Sequence, residues 1–149
     1  LNRVSGPFLD RIDIGVEVPR QDLGMMAAEK SIDEGSFPQT EQRNSSAVMR
    51  ARVMEARVRQ EKRFADESIS YNSQMTRRQI EEYCRLSGED AVFLEKVERQ
   101  QGISARGHGK ILKVARTLAD LDGQAEIGRT QLAEAIGFRS FEKKYWGSL

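Results

Sequence analysis

Basic side chains give the clearest chemical signal in this sequence, and one group of them shares a face of a predicted helix. The segment "ARGHGKILKVARTLADLDG" follows Ser104, a residue typical of helix starts, and we predict a helix that ends before Gly123. Its apolar residues cover one wide arc, namely Ile111, Val114, Ala115, Leu118, Ala119 and Leu121. The opposite arc carries Arg106, Lys110, Lys113 and Thr117.

Arg106 is the residue of this arc best placed for binding an anion. It falls in the first turn, where free backbone N–H groups and the helix dipole favour negative charge. A guanidinium there offers a planar set of donors to a phosphate group. A solvated basic face on a packed helix gives the same pattern, so the residues alone leave both interpretations of Arg106 open.

Arg11 is a second candidate, between Asp10 and Asp13 at the junction of two segments. Before it, "SGPFLDR" resembles a short helical turn, and after it "RIDIGVEVP" alternates apolar and polar residues. One interpretation of Arg11 is a local ion pair that orients the turn. The other is an arginine presented at a domain edge to a ligand on a neighbouring subunit.

A third basic group lies in a helix predicted from Ser46 onwards. Its arginines carry enough charge for a local contact with the phosphate backbone of DNA, and the candidates are Arg50, Arg52, Arg57 and Arg59. A solvated helix face is the alternative, because Glu55 precedes Arg59 by four residues and can pair with it. We predict that the same helix packs through an apolar stripe of Ala47, Ala51, Met54 and Val58.

Several kinds of chemistry lack the residues they need. With one cysteine and one histidine, thiol–imidazole catalysis and a Cys/His zinc site have almost no ligands, so we expect no metal site. We predict that Cys84 lies in the core and that His108 has a packing or capping role. The chain has no GxxxxGK[ST] phosphate loop and no acidic strand end to hold magnesium. We therefore expect that this chain alone does not hydrolyse a nucleotide.

Composition agrees with a soluble, cytoplasmic, helical chain. The 149 residues are 38% hydrophobic and 32% charged, with a net charge of +1. The mean hydropathy is −0.61 and no apolar run reaches the roughly 18 residues of a membrane span, so we expect no membrane partner.

The order of these segments predicts the organisation of the chain. The stretch from Ile12 to Val18 is a single β-strand, and we expect its sheet to lie upstream of Leu1. Residues 1–19 then end a nucleotide-binding core, residues 20–45 form a flexible connection, and residues 46–149 form a small α-helical bundle. Helix boundaries are indicated by a Thr76–Gln79 capping box, by Gly102 as a stop and by Thr130 as a cap.

The sequence also resembles a known family. "SGPFLDRIDIGVEVP", "SARGHGKILKVARTLADLDG" and "LAEAIGFR" together resemble the C-terminal part of magnesium-chelatase-like AAA+ ATPases, nearest to the competence-associated (ComM/YifB-type) branch. The resemblance runs from about Asn2 to Arg139. It implies that the helices form the lid domain of the ATPase and that the predicted strand is the last one of the nucleotide-binding sheet.

The resemblance also implies roles for two arginines. Arg11 matches the arginine finger, which reaches the ATP of the adjacent subunit. Arg106 matches the sensor-2 arginine, which contacts the phosphates of the ATP bound to its own subunit. No role follows for Lys110 or Arg116. The full-length protein is then expected to bind ATP and Mg²⁺, with neither bound to this fragment, and to form a hexameric ring.

The competence-associated branch implies a DNA partner and a motor that promotes branch migration during DNA uptake and recombination. Two alternatives remain at this point. One is a helical nucleic-acid-binding module that uses the arginine-rich helix. The other is the lid of a true magnesium chelatase subunit of tetrapyrrole synthesis, although such subunits usually carry "LDRFG" where this chain has "LDRID".

Overall fold

The structure, a computed structural model, describes residues 11–18 and 45–139. In this part of the chain the helices are α1 (Ser46–Arg63), α2 (Arg77–Tyr83), α3 (Gly88–Gln101), α4 (Ala105–Leu121) and α5 (Arg129–Gly137). A short 3₁₀ helix at Asn72–Gln74 lies between α1 and α2. The prediction of a mainly α-helical bundle is confirmed.

Helix α4 is the centre of the bundle. It packs against α1, α2, α5 and the 3₁₀ helix, and α3 packs against α5. Ile111, Ala115 and Ala119, spaced four residues apart, are fully buried, as the predicted apolar arc requires. Leu94 of α3 and Leu132 of α5 complete the same core cluster. Burial of the large side chains of Ile111, Leu94 and Leu132 contributes about 1.5–3 kcal/mol each to folding.

Side-chain caps set most helix boundaries. The hydroxyl of Ser104 accepts from the backbone N–H of Gly107, and Thr76 with Gln79 forms the predicted capping box before α2. Gly102 ends α3 in the left-handed region, with φ of 67°, which glycine adopts without a steric penalty. These three predictions are confirmed.

The predicted cap of α5 is wrong. Gly128, not Thr130, is the N-cap, and the helix begins at Arg129. The side-chain oxygen of Gln131 accepts from the N–H of Gly128 at 3.2 Å, and the N-cap glycine has no side chain that could accept from the first turn.

The predicted packing face of α1 is also wrong. Met54 and Val58, from the predicted apolar stripe, are exposed, while Ala56 and Gln60 are buried. The face towards α4 includes Arg63, whose guanidinium binds the carboxylate of Asp120. An ion pair with a distant residue has therefore decided which face of α1 is buried.

Asp120 is the centre of a buried polar cluster. Its side chain is 0% exposed and accepts from Arg63 of α1, from Arg116 at 3.1 Å and from the amide of Asn72 at 2.8 Å. Arg116 also donates to the carbonyl oxygens of Gln124 and Ala125, both at 2.8 Å. Burial lowers the pKa of Arg116, because it disfavours the charged guanidinium. The cluster joins α1, the 3₁₀ helix and the chain after α4.

Residues 11–18 form no β-ladder within the described part of the chain. Ile12, Ile14, Val16 and Val18 are exposed there. Because the sheet expected to pair with this segment was placed outside the chain, the strand stays a prediction. The predicted turn before Arg11, the connection through residue 44 and the tail after Arg139 lie outside the described residues, and the domain boundaries stay predictions. None of the described helices combines the length and apolar character needed to cross a membrane.

Substitution of Asp120 by Asn tests the buried cluster. Asp120→Asn removes the charge that offsets the buried guanidinium of Arg116 and the partly buried one of Arg63, and we expect the free energy of unfolding to fall by about 3–5 kcal/mol. Urea denaturation followed by circular dichroism measures this change.

The matched control is Asp122→Asn. Asp122 pairs with Arg52 at 3.4 Å, but the two side chains are 41% and 56% exposed, so we expect a loss below about 1 kcal/mol. Equal losses for the two variants would contradict the role given to the Asp120 cluster.

Candidate functional site

A groove of 1470 Å³ runs along α4, and we call it the α4 groove. Its lining includes the basic residues Arg11, Arg106, Lys110 and Lys113, the apolar residues Ile14 and Phe138, and four carboxylates, those of Asp13, Glu81, Glu95 and Glu98. The two arginines that the sequence singled out therefore line one groove, although they are separated by most of the chain. This groove is the candidate functional site.

Arg106 occupies the first turn of α4, as predicted. Its side chain is exposed, and no hydrogen bond or ion pair of its guanidinium is found within residues 11–18 and 45–139. The N-cap hydroxyl of Ser104 accepts from Gly107 at 3.1 Å, which leaves the guanidinium next to an ordered helix start. This arrangement suits a phosphate group, since dipole and charge have the same sign.

The other members of the predicted basic arc have partners in the protein. Lys110 forms an ion pair with Asp13, Nζ to Oδ1 at 2.8 Å, and Lys113 donates to the carbonyl oxygen of Ser73 at 2.9 Å. Thr117 donates its hydroxyl to the carbonyl oxygen of Lys113. The arc that looked uniform in the sequence is thus divided into structural residues and one exposed arginine at its start.

Arg11 begins the short described segment that lies against this end of the bundle. It is exposed, and the described residues hold no hydrogen bond or ion pair of its guanidinium. The predicted local alternative, an ion pair with Asp13, is not formed, because the Asp13 carboxylate pairs with Lys110. Its other predicted neighbour, Asp10, lies outside the described residues.

The arginines of α1 are mostly engaged in contacts within the bundle. Arg52 pairs with Asp122, the guanidinium of Arg57 lies 5.5 Å from the ring centroid of Tyr71, and Arg59 donates to the carbonyl oxygen of Asp120 at 3.1 Å. The predicted Glu55–Arg59 pair is present at 3.8 Å. Arg50 is exposed, with no such contact among the described residues. Their role in DNA binding stays a prediction.

The two remaining candidates have structural surroundings. Cys84 is buried in the core cluster, as predicted, and burial raises the pKa of its thiol to about 11, which makes it a poor nucleophile at neutral pH. His108 places Nδ1 2.6 Å from the carboxylate of Glu98 and so joins α4 to α3. The described residues contain no group of three potential metal ligands among His, Cys, Asp and Glu.

Sequence reasoning missed the roles of three basic residues, of which Lys110 lines the groove. Lys110 and Arg116 were left without a role, and they prove to bind Asp13 and Asp120 respectively. Arg139, in the "LAEAIGFR" segment, was not singled out, yet it is buried and donates to the carbonyl oxygen of Ile12 at 3.0 Å. No local pattern marks such a contact, because its partner lies at the other end of the chain.

Comparison with known proteins identifies the class to which this bundle belongs. Residues 43–139 match the C-terminal family of magnesium chelatase subunit ChlI. This match covers all five helices and most of the chain, and the chain belongs to that family.

Individual relatives narrow the class to the ComM/YifB type of magnesium-chelatase-like protein. The chain is 40% identical over 141 residues to competence protein ComM of Haemophilus influenzae, a match that covers 94% of this chain and 25% of ComM. It is 38% identical over 143 residues to YifB of Escherichia coli, covering 96% of this chain and 26% of YifB, and 36% identical to YifB of Salmonella typhimurium with the same coverage. The chain thus spans about a quarter of the length of these relatives.

Two glycines near Arg106 give a test of the geometry at the start of α4. A Cβ atom at Gly107 would lie 2.7 Å from Cγ2 of Ile103, so we expect Gly107→Ala to lower the free energy of unfolding by about 1–3 kcal/mol. The first turn that carries Arg106 has to shift to relieve this contact. Thermal and urea denaturation measure the change.

Gly109→Ala is the control, two residues further along α4. A Cβ atom there meets only the end of the Ile80 side chain at 3.4 Å, and alanine favours the helix by about 1 kcal/mol. We expect this variant to be as stable as the parent chain or more so. If Gly107→Ala proved equally harmless, the close packing assigned to the first turn would be wrong.

Proposed function

We propose that this chain is the lid region of a ring-forming AAA+ ATPase and supplies two arginines to ATP hydrolysis. The observation that carries the proposal is the α4 groove, where Arg11 and Arg106 both present guanidinium groups that have no partner among the described residues. The family of the C-terminal region of ChlI and the similarity to ComM and YifB support the same assignment.

Each arginine has a defined role in this proposal. Arg11 acts as the arginine finger on the ATP of the adjacent subunit, where it stabilises the negative charge that develops during phosphoryl transfer. Arg106 acts as the sensor-2 arginine, which binds ATP phosphates at the helix start of α4. Its exposed guanidinium and the ordered cap at Ser104 fit a phosphate group.

The remaining parts of the reaction lie outside this proposal for the chain. Mg²⁺ bound to ATP offsets phosphate charge, but the described residues contain no acidic cluster that fits the ion. We assign the ligands of Mg²⁺, and the phosphate loop that binds ATP, to other parts of the full-length protein. We propose a ring of six subunits on the basis of the family resemblance, since Arg11 needs the ATP of a neighbouring subunit. We also propose a cytoplasmic location on the same basis.

The two arginines should differ in kinetic signature in the full-length protein. We expect Arg11→Ala to keep its affinity for ATP and to lose about 10³-fold in turnover, because a finger acts on the transition state. We expect Arg106→Ala to weaken ATP affinity about tenfold and also to slow turnover, because it loses a charge-assisted hydrogen bond to a phosphate. Equilibrium nucleotide binding and steady-state hydrolysis measure both effects.

Arg78→Ala is the matched control, since Arg78 is an exposed arginine of α2 that does not line the groove. It should leave both parameters unchanged. Mixing Arg11→Ala subunits with Arg106→Ala subunits then tests which ATP each residue serves. Partial recovery of turnover supports Arg106 acting within its own subunit. No recovery would mean that Arg11 and Arg106 of one subunit serve the same ATP, and would contradict that part of the proposal.

We further propose that the full-length protein acts on DNA during uptake and recombination, by promoting branch migration. The name of the relative ComM, a competence protein, supports this extension, and so does the exposed half of α1 that carries Arg50.

Titration of this chain with fluorescent duplex DNA tests the DNA proposal. If the four α1 arginines contact phosphates, affinity should fall about 10²-fold between roughly 50 and 200 mM salt. Arg50→Glu should weaken binding, while Arg78→Glu on α2 should have a smaller effect. Binding that does not depend on salt, or on Arg50, would leave α1 as a solvated surface.

A further inference from the structure

The short segment that carries Arg11 is fastened to the helical bundle at several points. The carboxylate of Asp13 pairs with Lys110 of α4 at 2.8 Å, and the N–H of Gly15 donates to the carbonyl oxygen of Phe138 at 3.0 Å. Arg139 donates from Nη1 to the carbonyl oxygen of Ile12, also at 3.0 Å. These three contacts, which we call the joint, connect residues at opposite ends of the described chain.

The bundle side of this joint is held in place more firmly than the segment. The side chain of Lys110 is 13% exposed, whereas that of Asp13 is 63% exposed. Arg139 is buried and lies near Gly107, where a Cβ atom would come within 3.7 Å of its Nε. Ile12 and Ile14, by contrast, expose much of their side chains. Within the described residues, the segment is therefore held by polar contacts with the bundle rather than by burial of its own apolar residues.

We infer that Lys110 and Arg139 are positioning residues that hold the segment of Arg11 against the N-terminal half of α4. This inference rests on the function proposed for Arg11. Its consequence is mechanical: because Asp13 and Arg106 are both attached to α4, the two arginines of the groove move together when the bundle moves.

The contacts to the segment are of two kinds, to its backbone and to a side chain. The backbone of the segment is held at Ile12 by Arg139 and at Gly15 by the carbonyl oxygen of Phe138. Lys110 holds the side chain of Asp13, which lies between them. A lysine that contacted phosphate directly would also line the groove, so position alone does not separate the two roles of Lys110. Its pairing with Asp13 predicts effects on the segment that a phosphate ligand would not produce.

Hydrogen exchange of the Gly15 amide in this chain measures the joint directly. Lys110→Met keeps the length of the side chain and removes its charge, and we expect the Gly15 amide to exchange about fivefold faster. Asp13→Asn should give the same increase, and the double variant no further increase, because both changes break one interaction. Lys110→Arg should restore slow exchange.

Lys113→Met is the control, since the Nζ of Lys113 binds the carbonyl oxygen of Ser73 and not the segment. It should leave the Gly15 amide unchanged, and exchange at Ile111 in the core should be unchanged in every variant. Gly15 exchange that does not respond to Lys110→Met, or additive effects of Lys110→Met and Asp13→Asn, would overturn the inference.

Turnover in the full-length protein gives an independent readout. Lys110→Met should lower saturated ATP turnover severalfold without changing ATP affinity, and should add nothing to Arg11→Ala. A loss of ATP affinity would instead make Lys110 a phosphate ligand and overturn the positioning role. If Gly15 exchange responds as expected while Arg11→Ala leaves turnover intact, the joint stands and the proposed role of Arg11 fails.

Discussion

The arrangement of this bundle depends on how one buried carboxylate is neutralised. Asp120 of α4 is fully buried and accepts from Arg63, Arg116 and Asn72. A buried charge of this kind is tolerated only when its oxygens are paired, so α1 must approach α4 with Arg63 facing inward. This requirement explains why α1 exposes Met54 and buries polar atoms. It also fixes the chain after α4, because Arg116 binds the carbonyl oxygens there.

Helix α4 has two chemically distinct halves. Its C-terminal half carries the groups that hold the fold, with Arg116 and Asp120 both buried. Its N-terminal half carries the candidate site residues, where Arg106 is exposed and Lys110 holds the segment of Arg11. Because the C-terminal half is fixed by the core, the N-terminal half is held in a defined position relative to α1 and α5. A rigid helix of this kind is a suitable support for a phosphate-binding arginine.

The features that could be predicted from sequence are those set by local rules. The boundaries of α4, the capping box at Thr76 and the stop at Gly102 each depend on residues within one helical turn. The buried face of α1 could not be predicted, because Arg63 faces inward to pair with Asp120, 57 positions later. The N-cap of α5 lies at Gly128 rather than at the predicted Thr130, because a glycine N-cap has no side chain to mark it in the sequence.

The same distinction applies to the site. The types and positions of Arg11 and Arg106 drew attention to both, and resemblance to the family gave them expected roles. Their common groove, and the contact between Arg139 and Ile12 across 127 positions, required the three-dimensional structure. The chain covers about a quarter of ComM and YifB, so the chemistry proposed for the groove belongs to a larger protein.

The central claim is that the two arginines of the α4 groove serve ATP. A structure of the assembled full-length protein with a non-hydrolysable ATP analogue tests it most directly. We expect the guanidinium of Arg106 within hydrogen-bond distance of a phosphate oxygen, about 2.7–3.2 Å, and Arg11 directed at the γ-phosphate of the neighbouring subunit's nucleotide. Nucleotide bound with both guanidinium groups facing solvent would contradict it.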